Sequence, residues 1–348
     1  MSSRSVSTSA GGDRMSFSLR SLTFADLLPK AVELASRQIG EPAFPEAIWQ
    51  RERQRMIASI KEANTRPATV AGRAFTRAVY TSHPYGLEMT EETLARINVA
   101  DMAALYRSLV LPCRAKVTLV GAVSRAQADA LVSQLLARLP KSPAGAVCPA
   151  LPPVAEVPAL DGAQEINLRF DSAQAHVLIG QPGFKRDDPD FFALTVGNYI
   201  LGGGGFVSRL TEEVRQKRGL SYSVYSYFSP GLHAGAFTIG LQTRPDQARE
   251  AVAVSREVLQ RFVAEGPTAA ELQAARDFLI GGFALRIDSN RKLLDNVANM
   301  AWNGLALDYL DTWTQRIGEV TLTDIRAAMA RKLQPDRMVT VVVGAAAR

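Results

Sequence analysis

LGGGGFVSRLTEEVRQKRGLSYSV, residues Leu201–Val224, carries the densest signal in the chain. Gly202, Gly203, Gly204 and Gly205 stand between two helical patterns and open backbone conformations that other residues avoid. The run lacks GxxxxGK[ST] and follows a helix instead of a strand, which argues against a phosphate cradle. Taken alone it reads as a flexible helix connection. Further on, a helix over Phe206–Lys217 places Arg215 in its last turn, Gly219 would end that helix, and Tyr222 falls just inside the next strand. Because the chain reverses between them, the Arg215 fork and the Tyr222 hydroxyl can point into one space. Both are donors suited to a peptide carbonyl or a developing oxyanion. Both residue types also have plain structural uses, an arginine on a helix C-terminal dipole and a tyrosine packed in a strand.

Outward from this stretch, strands are expected at Glu165–Phe170, Ala175–Gly180, Ser221–Phe228, Ala234–Gln242 and Met338–Val343. Helices are expected at Pro189–Leu201, Gln247–Glu265, Thr268–Ile287, Asn290–Leu305 and Thr321–Lys332. Upstream, KSPAGAVCPALPPVAEVPALDGA (141–163) holds five prolines and no periodicity, so it reads as a linker. Before it, Met15–Leu22 alternates like a strand, and helical patterns cover Phe24–Ile39, Pro45–Ala63, Pro67–Tyr80, Val99–Leu109 and Ser124–Arg138. Ala115–Val123 reads as a buried strand. VTLVGAV before the linker and VTVVVGA after it close two similar successions of elements. The expectation is an α+β domain present twice, over 1–140 and 164–348, each a sheet covered by helices.

Composition narrows the function. The 348 residues carry a formal charge of +6 without a basic block, so nucleic acid is a poor candidate. No apolar run is long enough to span a bilayer. The first twenty residues lack a signal-peptide core, which as written implies the cytoplasm. Cys113 and Cys148 could bond as a pair, but two cysteines are too few for a disulfide framework, and free thiols are the favoured reading. His83, His176 and His233 include no pair within one helical turn, so the chain has little to hold a transition metal with. A turn or cap role suits His83 in HPYG, and structural roles suit the other two.

GGGGFVSRLTEEVRQKRGLSYSV resembles the C-terminal-half motif of the M16 metallopeptidases, the family of pitrilysin and the mitochondrial processing peptidase. A glycine-rich turn, SRL, an acidic helix and an R..(K/R)GL.Y segment follow there in the same order. AFPEAIWQRERQRMIASIKE (Ala43–Glu62), HPYG (His83–Gly86) and the VTLVGAV strand are similar to other family landmarks, so the resemblance covers nearly the whole chain. It implies two domains of the LuxS/MPP-like type. It also implies that an arginine and a tyrosine seven residues apart, here Arg215 and Tyr222, reach the scissile carbonyl.

Active members carry an HxxEH helix and a downstream glutamate as third zinc ligand. HxxEH is absent here, and the downstream position falls on Gln50, a neutral amide and a poor replacement for a carboxylate ligand. Glu52 matches the second acid of that helix and reads as a surface or salt-bridge residue. Residues 5–23 resemble the strand pair that follows the HxxEH helix, so the first strand and metal helix would lie before Met1 and the N-terminal copy would be shortened. A missing true N-terminus would also make the periplasm the expected compartment.

These points lead to a non-catalytic subunit of a heterodimeric zinc peptidase, inactive alone and with no metal or cofactor of its own. Its HxxEH-bearing partner would hold the zinc, Arg215 and Tyr222 would bind the carbonyl of a peptide substrate, and Gly202–Gly205 would give the peptide room, the peptide adding to a sheet edge as a strand. The alternatives are a structural subunit, as in the core proteins of respiratory complexes, and a stand-alone peptide-binding module.

Overall fold

The computed structural model describes residues 5–140 and 147–344. Of the expected linker, residues 141–146 lie outside the described residues. The chain forms two compact units, one of residues 1–60, 89–153 and 286–302, the other of residues 61–88, 154–285 and 303–348. Two helices thus change sides relative to a division at the linker. Pro67–Tyr80 belongs with the later sheet, and most of Asn290–Asn303 belongs with the earlier residues.

In the first unit, strands β1 (Ser5–Ala10) and β2 (Met15–Arg20) pair antiparallel, from Ser5↔Arg20 to Ala10↔Met15. Leu28–Gly40 is helical, and Arg138 bridges its Glu33 and the following Glu41, both at 2.6 Å. Trp49, Ile60 and Leu94 form a small core to which Met56 and Met102 add. Ser124 and Gln127 cap the helix Arg125–Leu136 reciprocally.

Two expectations are corrected here. Ala115–Val123 is not a strand: it runs irregularly, with Val117 39% exposed and Lys116 Nζ donating to the carbonyls of Ala301 and Trp302. A strand needs a hydrogen-bonded neighbour, and the described sheet of this unit is the β1–β2 ribbon alone. The two thiols are not free either. Cys113 and Cys148 form a disulfide with Cα atoms 5.7 Å apart, in a place where Arg114 Nη2 also holds the Pro149 carbonyl at 2.5 Å.

The second unit is built on five strands in the order β3 (Gln164–Leu168), β7 (Val339–Val343), β4 (Ala175–Phe184), β6 (Gly235–Thr243), β5 (Val224–Phe228). β3 and β7 are parallel and the other pairs antiparallel. Val339, Val341 and Val343 alternate onto one face, where Ala71, Phe75 and Val79 of the helix Pro67–Tyr80 cover them. Thr340 points the other way, and its hydroxyl receives Arg256 of the helix Ala248–Glu265 at 2.7 Å. Gly180 of β4 leaves no space for a side chain between Phe75 and the β6 backbone.

Before the site, the expected helix Pro189–Leu201 is an α-helix over Phe191–Asn198 that widens into a π-helix at Tyr199–Gly203. The expected helix Phe206–Lys217 divides into a 3-10 turn, Gly205–Val207, and a π-helix, Thr211–Gln216. Single π turns inside helices recur at functional sites.

Candidate functional site

Gly219 has φ +62°, and it ends the helix by turning its N–H onto the Arg215 carbonyl at 2.9 Å. Leu220 N–H then reaches the Val214 carbonyl, also at 2.9 Å. Ser221 Oγ ties the following segment to Gln242 of β6 at 2.6 Å. This turn sets the Arg215 guanidinium over the Tyr222 ring, 4.6 Å from its centroid. Tyr222 itself lies two residues before β5 and not inside a strand, and it is 81% exposed.

The guanidinium also lies 4.6 Å from the centroid of the Phe206 ring. The aromatic after the glycine run is thus part of the arrangement and was absent from the expected set. Its position beside four glycines was the signal that could have found it.

The remaining cations of this region are committed. Arg209 forms a two-bonded fork with Glu271, both bonds 2.7 Å, and also holds the Gly266 carbonyl at 3.1 Å. Lys217 pairs with Glu212 and Glu213, each at 2.9 Å, and Arg218 with Glu213 at 2.6 Å. Arg218 and Lys217 hold the Glu213 carboxyl below the usual carboxylate range. Burial by itself would raise the Glu271 carboxyl, but the Arg209 fork and the N–H and hydroxyl of Thr268 outweigh it and bring it down to about 2. Arg215, in contrast, has no ion pair or side-chain hydrogen bond among the described residues. A guanidinium that contacts rings and has no ion pair keeps its N–H groups available for an acceptor.

The four glycines play different parts. A side chain at Gly202 would collide with Ser226 and Leu210, at Gly203 with Asn198, and at Gly204 with Tyr199, so these three serve the chain's own packing. Only Gly205, with φ +61° and open space around it, has the freedom expected of the whole run. Gly202 matters for the edge strand. Asn198 Nδ2 donates to the Ser226 carbonyl at 3.1 Å and Ser226 Oγ pairs with Asn198 Oδ1 at 2.8 Å, while Thr211 Oγ1 lies 3.5 Å from the Val224 carbonyl. At these two positions the outer edge of β5 is occupied by the chain's own side chains.

The donors that the family pattern would need for zinc do not fit a metal. Gln50 gives its Nε2 to Glu46 at 2.5 Å and receives Arg53 at 2.6 Å. Glu52 pairs with Arg55 at 2.6 Å. His83 Nδ1 caps a turn by accepting Tyr85 N–H at 3.1 Å. His233 packs against His83 with ring centroids 4.9 Å apart, and His176 stands in β4, where burial lowers its pKa. Among the described residues no group of three or more His, Cys, Asp or Glu is arranged to hold a metal.

The mixed sheet backed by helices is a fold shared with solved structures of the M16 type. A crystal structure of the peptidase M16 inactive domain from Pseudomonas fluorescens superposes with a TM-score of 0.92 at 32% identity, over 99% of this chain and 81% of that one. The family model described as "Peptidase M16 inactive domain" matches residues 96–279. The chain belongs to the peptidase M16 family. An uncharacterized zinc protease of Mycobacterium leprae is 28% identical over 297 residues, 84% of this chain and 65% of that protein. The non-peptidase homolog YmxG of Helicobacter pylori is 36% identical over 170 residues, 47% of this chain and 38% of that protein. The chain thus spans less than two thirds of the length of these relatives. Among the described residues no helix is long and apolar enough to cross a membrane.

Proposed function

We propose that this chain is the non-catalytic subunit of a heterodimeric M16-type zinc peptidase, and that Arg215 and Tyr222 hold the carbonyl of the scissile peptide bond. The observation that carries the reading is the uncommitted Arg215 fork beside the exposed Tyr222, in a segment whose neighbouring cations Arg209, Lys217 and Arg218 are paired. Hydrogen bonds from two such donors grow stronger as negative charge develops on the carbonyl oxygen. The partner subunit would supply zinc and the attacking water, and no residue here takes part in that half. Gly205 gives the turn its shape, and the substrate approaches along the Arg215–Tyr222 side.

In a pair reconstituted with an HxxEH-bearing subunit, Tyr222→Phe is expected to lower kcat about a hundredfold, the usual loss for one oxyanion donor, with pairing intact. Arg215→Lys removes the planar fork and is expected to lose a comparable factor. Undiminished turnover in Tyr222→Phe would sink the assignment. A second reading, a peptide-holding or assembly subunit without any reaction, is favoured by the Helicobacter pylori relative named a non-peptidase homolog. Arg215-dependent peptide binding with no proteolysis beside any HxxEH-bearing subunit would select it.

A further inference from the structure

Phe206 and Val207 are 67% and 73% exposed, an unusual outlay of apolar surface for two adjoining residues. The turn that carries them is nonetheless tightly built. Ser208, fully buried, donates from its N–H and its hydroxyl to the Gly205 carbonyl at 3.1 and 2.8 Å, and its hydroxyl also lies 3.1 Å from Thr211 Oγ1. Gln216 Nε2, one residue after Arg215, holds the Phe206 carbonyl at 3.0 Å. The left-handed Gly205 lets the chain leave the helix just before this tip. The tip carrying Phe206 is thus held by hydrogen bonds on both sides, with the Arg215 guanidinium 4.6 Å from its ring and from that of Tyr222.

We propose that Phe206, with Val207, is the specificity element of this site, selecting extended peptides that carry a bulky apolar side chain next to the carbonyl held by Arg215 and Tyr222. The inference rests on the carbonyl-binding reading above. Both rings lie 4.6 Å from the guanidinium carbon, so a carbonyl accepting from its N–H groups brings the adjoining peptide side chain close to them. There the exposed Phe206 and Val207 gain from covering apolar surface and nothing from a glycine. Contact with Phe206 also orients Arg215, which makes Phe206 a positioning residue as well.

The test uses the full chain and two fluorescein-labelled unstructured peptides that differ only in a central leucine or glycine, titrated by fluorescence anisotropy. The wild-type chain is expected to bind the leucine peptide about tenfold tighter, within the range one apolar group gives in a pocket. Phe206→Ala is expected to abolish that ratio and Phe206→Tyr to keep it, with unchanged melting curves because the ring is exposed. Arg215→Ala is expected to weaken both peptides by the same factor. A ratio that survives in Phe206→Ala, while Arg215→Ala still weakens both peptides, overturns the specificity role and leaves the carbonyl reading standing. Binding of both peptides that ignores Arg215→Ala, or no binding at all, overturns that reading and this inference with it. Should Phe206→Ala leave the ratio intact and instead dissociate self-associated chains in sedimentation, the tip is a contact between copies and the proposal fails.

Discussion

Replacing Arg209 by alanine is expected to cost the second unit about 3 kcal/mol at neutral pH, and the loss is expected to shrink in acid. Arg209 ties the glycine-turn region to the junction of two helices: its fork grips Glu271, its Nη2 takes the Gly266 carbonyl, and its guanidinium lies 5.0 Å from the Phe262 ring centroid. Glu271 also accepts the N–H and hydroxyl of Thr268 to cap the helix Ala269–Gly281. The two side chains are only 16% and 29% exposed, so removing the arginine leaves a largely buried carboxylate short of its main partner. Breaking a buried pair from one side costs about 3–5 kcal/mol, and the partial exposure places this pair at the low end.

The pH dependence follows from the carboxyl. Its pKa falls from 4.5 to about 2 on folding, so its contribution is complete above about pH 4.5 and is lost as the pH falls through about 2. In Arg209→Ala most of that depression is gone. Urea unfolding at pH 7 and pH 3 is therefore expected to give a larger difference between wild type and variant at pH 7. An equal difference at both values would show that the fork contributes through packing alone.

Gly202→Ala is expected to be as damaging, by a different route. The added methyl group would meet Ser226 Oγ, the Ser226 backbone nitrogen at 2.6 Å and Leu210 Cδ1 at 2.7 Å. A backbone nitrogen in a strand cannot yield without moving β5. Relief would pull the helix off the strand and break the Asn198–Ser226 pair that covers the edge. Overpacking of a tight contact costs about 1–3 kcal/mol, and the lost pair adds to it, for a total of about 3 kcal/mol and a fall in Tm of roughly 10 °C. Gly205→Ala serves as the contrast. It meets open space and pays only for a left-handed backbone, about 1 kcal/mol. Equal melting temperatures for the two variants would contradict the division of roles drawn for the glycine run.

That contrast also marks what could be read in advance. The juxtaposition of Arg215 and Tyr222 depends on a helix stopped by Gly219 and a short reversal, all within eight residues, and local rules suffice for it. The parts of Gly202 and Arg209 depend on Ser226 and Glu271, distant in sequence, and no local pattern announces such pairings. Ala115–Val123 misled for a related reason: its apolar run satisfies a strand's composition, but strand formation is settled by a neighbour. The joining of Cys113 to Cys148 likewise needs the fold to bring the two loops within reach, as composition cannot.

The placement of the helix Pro67–Tyr80 bears on how this protein can be dissected. Its Phe75 and Val79 close the valine face of β7, although the helix precedes the proline-rich segment by some 60 residues of chain. A cut at that segment, the natural place to divide the polypeptide, would leave residues 164–348 with Val339, Val341 and Val343 open to water. Such a fragment is expected to be recovered in the insoluble fraction, and to become soluble when a peptide spanning residues 61–88 is supplied in trans. The segments before and after the proline-rich stretch are in this sense not modules that could be exchanged separately, because the earlier one lends a helix to the later one.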